Sequence, residues 1–116
     1  MSFDAEHIYN EVLAAGNDWA DKKSAFEALD DNTKSVLADI TGRYMDGTGR
    51  YMEGKISRTE AERYALASKD YKEHLADVSK ARKEWLIAQV KYDCLKMLSE
   101  LRRSQESSRR AEMGMR

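Results

Sequence analysis

A chain of 116 residues with a net charge of −1, 35% charged and 41% hydrophobic residues and no proline has room for one small domain, and its composition suits exposed helices. No run approaches the roughly 18 apolar residues a membrane span needs, and no basic-then-apolar leader opens the chain, so a cytoplasmic protein is expected. Charge is uneven. Residues 1–41 hold nine acidic and three basic residues (−6), 42–55 carry +1, and 56–116 hold fourteen basic against ten acidic residues (+4).

Asp4 to Ala15 reads as a short amphipathic helix with Ile8, Val12 and Leu13 near one face and Gly16 as its stop. Asn17 or Asp18 then caps a second segment, in which Trp19, Phe26, Leu29, Val36, Leu37, Ile40 and Tyr44 follow a helical face. The polar run Asp30-Asp31-Asn32-Thr33 predicts a break or kink. Residues 1–45 thus form an acidic N-terminal helical region.

The middle, residues 46–56, is Gly-rich. Thr41-Gly42-Arg43-Tyr44-Met45-Asp46-Gly47 is followed at once by Thr48-Gly49-Arg50-Tyr51-Met52-Glu53-Gly54, a tandem heptapeptide that differs only in Asp against Glu. Each Gly costs a helix about 1 kcal/mol relative to Ala, so the first copy is expected to end a helix and the second to be loop. A slipped duplication that lengthened a connection accounts for the repeat. So does a binding loop in which Arg43, Arg50 and Lys55 contact phosphates while Tyr44 and Tyr51 stack on bases.

Residues 57–103 contain no Gly or Pro and predict one continuous helix of about 70 Å. Ser57-Arg58-Thr59-Glu60 has the form of a capping box. Tyr64, Tyr71, Val78, Trp85 and Tyr92 recur every seven residues, each followed three residues later by Ala67, His74, Ala81, Ala88 and Leu95. This a/d stripe, aromatic at a and mostly Ala at d, predicts a coiled-coil seam holding a homo-oligomer. Cys94, among Tyr92, Leu95 and Leu98, is expected to be a small buried hydrophobe. Residues 104–116 read as a basic tail that continues the helix while fraying. Arg102, Arg103, Arg109 and Arg110 offer phosphate contacts, although cations near a helix C-terminus also complement its dipole.

No catalytic constellation emerges, and no cofactor or metal is expected. Asp70, His74 and Asp77 have the spacing of a metal-binding helix face, but His74 is itself a seam position and acids are common on a charged helix. The fold expected is all-α: an antiparallel helical hairpin with one long C-terminal coiled-coil-like helix.

Two stretches, Glu60-Ala61-Glu62-Arg63-Tyr64-Ala65-Leu66-Ala67-Ser68-Lys69-Asp70-Tyr71 and Glu100 to Met113, follow the acidic head and the Arg/Tyr/Gly loop in an order that resembles small phage recombination proteins, the UvsY-type mediators of T-even phages. The resemblance covers roughly residues 29–113. It implies an oligomeric ring that binds single-stranded DNA and helps load a recombinase onto strands covered by single-strand binding protein, with Arg43, Arg50 and Lys55 as strand contacts. The alternative is a non-enzymatic coiled-coil structural or adaptor protein, such as a phage assembly factor, which would need neither the basic loop nor the basic tail.

Overall fold

Ser57 caps a helix as its sequence predicts. Its side-chain oxygen accepts the Glu60 N–H at 3.2 Å, and its carbonyl accepts the Ala61 N–H at 2.9 Å. In the computed structural model, which describes residues 5–46 and 56–114, four helices follow in order: α1 Ala5–Asp31, α2 Thr33–Asp46, α3 Arg58–Ala67 and α4 Lys69–Gly114. The fold is an all-α antiparallel hairpin with a long C-terminal helix. None of the described helices is long and apolar enough to cross a membrane.

Four boundaries tie sequence to structure. The predicted break near Asp30–Thr33 is a bend at Asn32. There the backbone ladder continues on both sides, with Asn32 N–H donating to Ala28 and Val36 N–H to Asn32. The first heptapeptide copy is helical to Asp46 and ends α2; the second copy lies outside the described residues. Gly16 is not a stop: α1 runs through it, and Asn17 and Asp18 are helix interior, Asp18 holding Lys22 at 3.1 Å. The predicted continuous helix 57–103 is instead broken at Ser68, and its second part extends without interruption through the expected tail to Gly114.

At Ser68 one residue ends α3 and starts α4. Its backbone is extended (φ −69°, ψ 151°), its N–H and hydroxyl both donate to the Ala65 carbonyl at 3.1 and 2.7 Å, and the hydroxyl accepts the Tyr71 N–H at 3.2 Å. The end of one helix and the beginning of the next are therefore satisfied by a single side chain. The break also changes the phase of the buried row. Along α4 the less exposed residues, Asp70 and Gln89 apart, are Tyr71, His74, Val78, Ala81, Trp85, Ala88, Tyr92, Leu95, Ser99 and Arg102, a 3-4 alternation. Along α3 they are Ala61 and Ala65, followed by Ser68, one position later than the Tyr64/Ala67 row. The spacing through the break is thus 4-3-3-3-4, a local slip of the heptad.

The chain divides into two compact units. One comprises residues 24–83, in which α2 packs on α3. Ile40 and Thr41 are buried on α2, Ala61 and Ala65 are fully buried on α3, and Tyr44 stacks on Tyr64 with centroids 5.8 Å apart. Small residues on α3 let the two axes approach, and the ring pair covers the edge. The Thr41 hydroxyl is satisfied by the Leu37 carbonyl at 2.7 Å.

The other unit comprises residues 1–23 and 84–116. Here the inward row of α1, namely Ile8, Val12, Ala15 and Trp19, alternates by four and three and meets the a/d row of α4. Trp19 stacks on Tyr92 at 5.9 Å and 29°. Gly16 makes the approach possible: a Cβ there would stand 3.1 Å from Tyr92 Cε1 and 3.2 Å from its Cζ. Lys96 Nζ lies 4.5 Å from the Tyr92 centroid and Lys23 Nζ 5.3 Å from that of Trp19, so cations cap both ends of the stack.

Candidate functional site

Of the residues expected to contact a nucleic-acid strand, some fall in each unit and three lie outside the described residues. Arg43 is not on a loop. It is exposed on the last turn of α2 and grips Asp39 Oδ2 at 2.7 Å, four residues back on the same helix, where a cation also complements the helix dipole. Tyr44 is half-buried, with one ring face committed to Tyr64. Arg50, Tyr51 and Lys55 lie outside the described residues.

In the unit of residues 1–23 and 84–116, Arg102, Arg103, Arg109 and Arg110 all project from α4. Arg102 is half-buried and the other three are exposed. The pairs 102/109 and 103/110 are each seven residues apart, which sets two adjacent basic rows along the helix with Glu106 between them. Arg102 and Arg103 also border a groove of about 370 Å³ with Ile8, Tyr9 and Val12 on its α1 side.

Of the residues assigned to an oligomer seam, Tyr64 and Tyr92 stack on rings of the same chain. Tyr71, Val78, Trp85 and Tyr92 are half-buried, and Tyr92 is taken up by Trp19 and Gly16. Tyr64 is 44% exposed because the slip at Ser68 turns it out of the buried row, and its ring rests on Tyr44. His74 keeps its inward position. Its Nε2 is 2.9 Å from the Thr33 hydroxyl, which itself lies 3.4 Å from the Leu29 carbonyl. The hydroxyl is within reach of both the Leu29 carbonyl and His74 Nε2, and the imidazole tautomer sets the direction of the second bond. His7, the other histidine, sits on the surface of α1 beside Glu11 at 3.0 Å.

One row escaped the sequence reading. Ile87, Val90, Cys94, Met97 and Leu101 are spaced 3-4-3-4, and all five are exposed, with Ile87 at 60%, Val90 at 63%, Met97 at 68% and Leu101 at 55%. Cys94 is therefore not the buried hydrophobe expected: it stands two positions beyond Tyr92, outside the inward row. Each member of this row follows a member of the inward row by two residues. At about 100° per residue that places it about 200° around α4, on the side away from α1. The signal was present in the sequence as a second heptad repeat, hidden because the aromatic repeat overlaps it.

Comparison of the chain with protein-family models, with curated proteins and with solved structures gives no match. What geometry defines is an all-α helical hairpin whose long helix carries two apolar rows, one covered and one open.

Proposed function

We propose that this chain is a non-enzymatic coiled-coil protein, a structural or adaptor element that works by binding a helix on the outward face of α4. The observation that carries the reading is the exposed row Ile87, Val90, Cys94, Met97 and Leu101. Two heptads of apolar side chains cost solubility when left in water and have the periodicity a partner helix needs for knobs-into-holes packing. A photoreactive amino acid at position 97, introduced in the cells that make the protein, is expected to give a protein adduct of defined mass. The same probe at Arg82, an exposed polar position of the same helix, is expected to give none. Equal labelling at both positions would defeat the reading.

A second reading, a phage-type recombination mediator that binds single-stranded DNA as an oligomer and assists recombinase loading, draws support from the paired arginine rows at 102–110. Arg103, Arg109 and Arg110 are exposed on a polar stretch of the helix, where phosphates can reach them. A recombinase and a single-strand binding protein would then be its further partners. Titration with a poly-dT strand at several salt concentrations tests it. Three to five phosphate contacts per subunit predict a log–log slope of roughly −2 to −3.5, at about −0.7 per phosphate. No binding at low salt removes this reading and leaves the coiled-coil reading standing.

A further inference from the structure

We infer that the outward row of α4 is the seam of a parallel, in-register homodimer, with Cys94 on its two-fold axis. The inference rests on the coiled-coil reading above and names the partner: a second copy of this chain.

Three observations carry it. The first is extent. Leu86, Ile87, Val90, Met97, Leu98 and Leu101 keep between 45% and 68% of their surface in water. Together they leave on the order of 600 Å² per chain, close to the about 800 Å² each partner contributes to a standard interface. It is also at the top of the about 300–600 Å² that the largest patch on a monomer usually reaches.

The second is confinement. Continuing the outward row backwards gives Lys83, Lys80, Ala76 and Glu73, and forwards Ser104 and Ser108, all exposed. The apolar stretch is thus bounded at both ends by charge or hydroxyl, as a seam of fixed length is. Because it faces away from α1, a second α4 can dock without disturbing the Trp19–Tyr92 packing.

The third is charge. With Ile87, Cys94 and Leu101 at a and Val90 and Met97 at d, the flanking g residues are Leu86, Asp93 and Glu100, and the e residues are Lys91, Leu98 and Gln105. An antiparallel pair sets g against g and confronts Asp93 with Glu100 on both sides of the axis. Lys96, 3.5 Å from Asp93, softens that repulsion without reversing it. A parallel pair sets g against the e residue five positions on. It then matches Leu86 with Lys91, Asp93 with Leu98 and Glu100 with Gln105, and no like charges meet. In that register the two Cys94 side chains face each other, within reach of the about 4.4–6.8 Å Cα separation a disulfide requires.

The test uses the full chain. Light scattering at micromolar concentration is expected to give twice the 13.3 kDa chain mass. Mild oxidation with copper–phenanthroline, which takes two electrons while two thiols lose two protons, is expected to join the dimer covalently, and Cys94→Ser to abolish the link but not the dimer. Ile87→Glu with Met97→Glu is expected to give a monomer of unchanged helix content, because both side chains are exposed in the single chain. Met113→Glu, an equally exposed position off the row, is expected to leave the dimer intact. Should the double variant fail to fold, Val90→Ser adds no charge and is expected to weaken dimerisation about tenfold.

A monomeric wild type, a dimer that survives the double substitution, or a folded dimer that does not cross-link at Cys94 would each overturn the inference. A probe at position 97 that captures a different protein and never the chain itself would overturn it while sparing the coiled-coil reading.

Discussion

The outward positions of α4 in the two units make opposite choices. In the unit of residues 24–83 they are Glu73, Ala76, Lys80 and Lys83; in the other they are Ile87, Val90, Cys94, Met97 and Leu101. The inward row keeps an aromatic or Val at a from Tyr71 to Tyr92 in both units, with Ala81 and Ala88 at d on either side of the boundary. The first unit has α2 and α3 to close it, with Ile40 and Thr41 of α2 and the small residues Ala61 and Ala65 of α3 buried. The second has one segment of α1 against one of α4, and two helices bury one stripe each. A helix with one covered row can remain polar on its other side. A helix with two apolar rows is built to have two neighbours, and only one of them is supplied within this unit.

If that contrast is right, the largest intrachain effect belongs to the closed unit. Ala65 is fully buried where α3 meets α2, so Ala65→Leu is expected to lower stability by about 1–3 kcal/mol through overpacking, read by urea unfolding. An unchanged midpoint would mean that this contact is loose and the contrast false.

Ser68→Ala should come next, at about 0.5–2 kcal/mol, since it removes the side chain that caps α4. A substitution with no cost, or a gain from restoring the uninterrupted heptad, would show that the slip is not enforced by this residue.

Gly16 sharpens the picture of the open unit. Ala is favoured over Gly in a helix by about 1 kcal/mol, but its Cβ would press on the Tyr92 ring. Gly16→Ala is expected to be neutral or destabilising in the wild type and stabilising by up to about 1 kcal/mol in a Tyr92→Ala background. A double-mutant cycle measures that coupling, and additivity would show that the ring does not depend on the glycine.

The smallest effect is expected at Arg43→Ala. The exposed pair with Asp39 contributes about 0.3–0.5 kcal/mol, so thermal unfolding should barely move. A loss of strand binding in the same variant would then report on DNA contact and not on folding.

Local chemistry made much of this fold legible in the sequence alone. The Ser57 cap, the bend after Asp31, the helical end of α2 in the first heptapeptide, and the inward row from Tyr71 to Leu95 follow from side-chain hydrogen bonding and from the 3.6-residue period. Tertiary structure decided the rest. Gly16 reads as a stop until Tyr92 is seen lying across it, because a glycine that ends a helix and one that admits a ring look the same in one dimension. Ser68 reads as an ordinary helix residue, since its capping bonds matter only when α2 packing turns Ala61 and Ala65 inward and moves Tyr64 out. Two heptad rows were written into residues 85–102, and periodicity alone cannot say which faces α1. The Trp19–Tyr92 stack and the missing Cβ of Gly16 fix the answer, leaving Ile87, Val90, Cys94, Met97 and Leu101 outside because two helices have only one shared side.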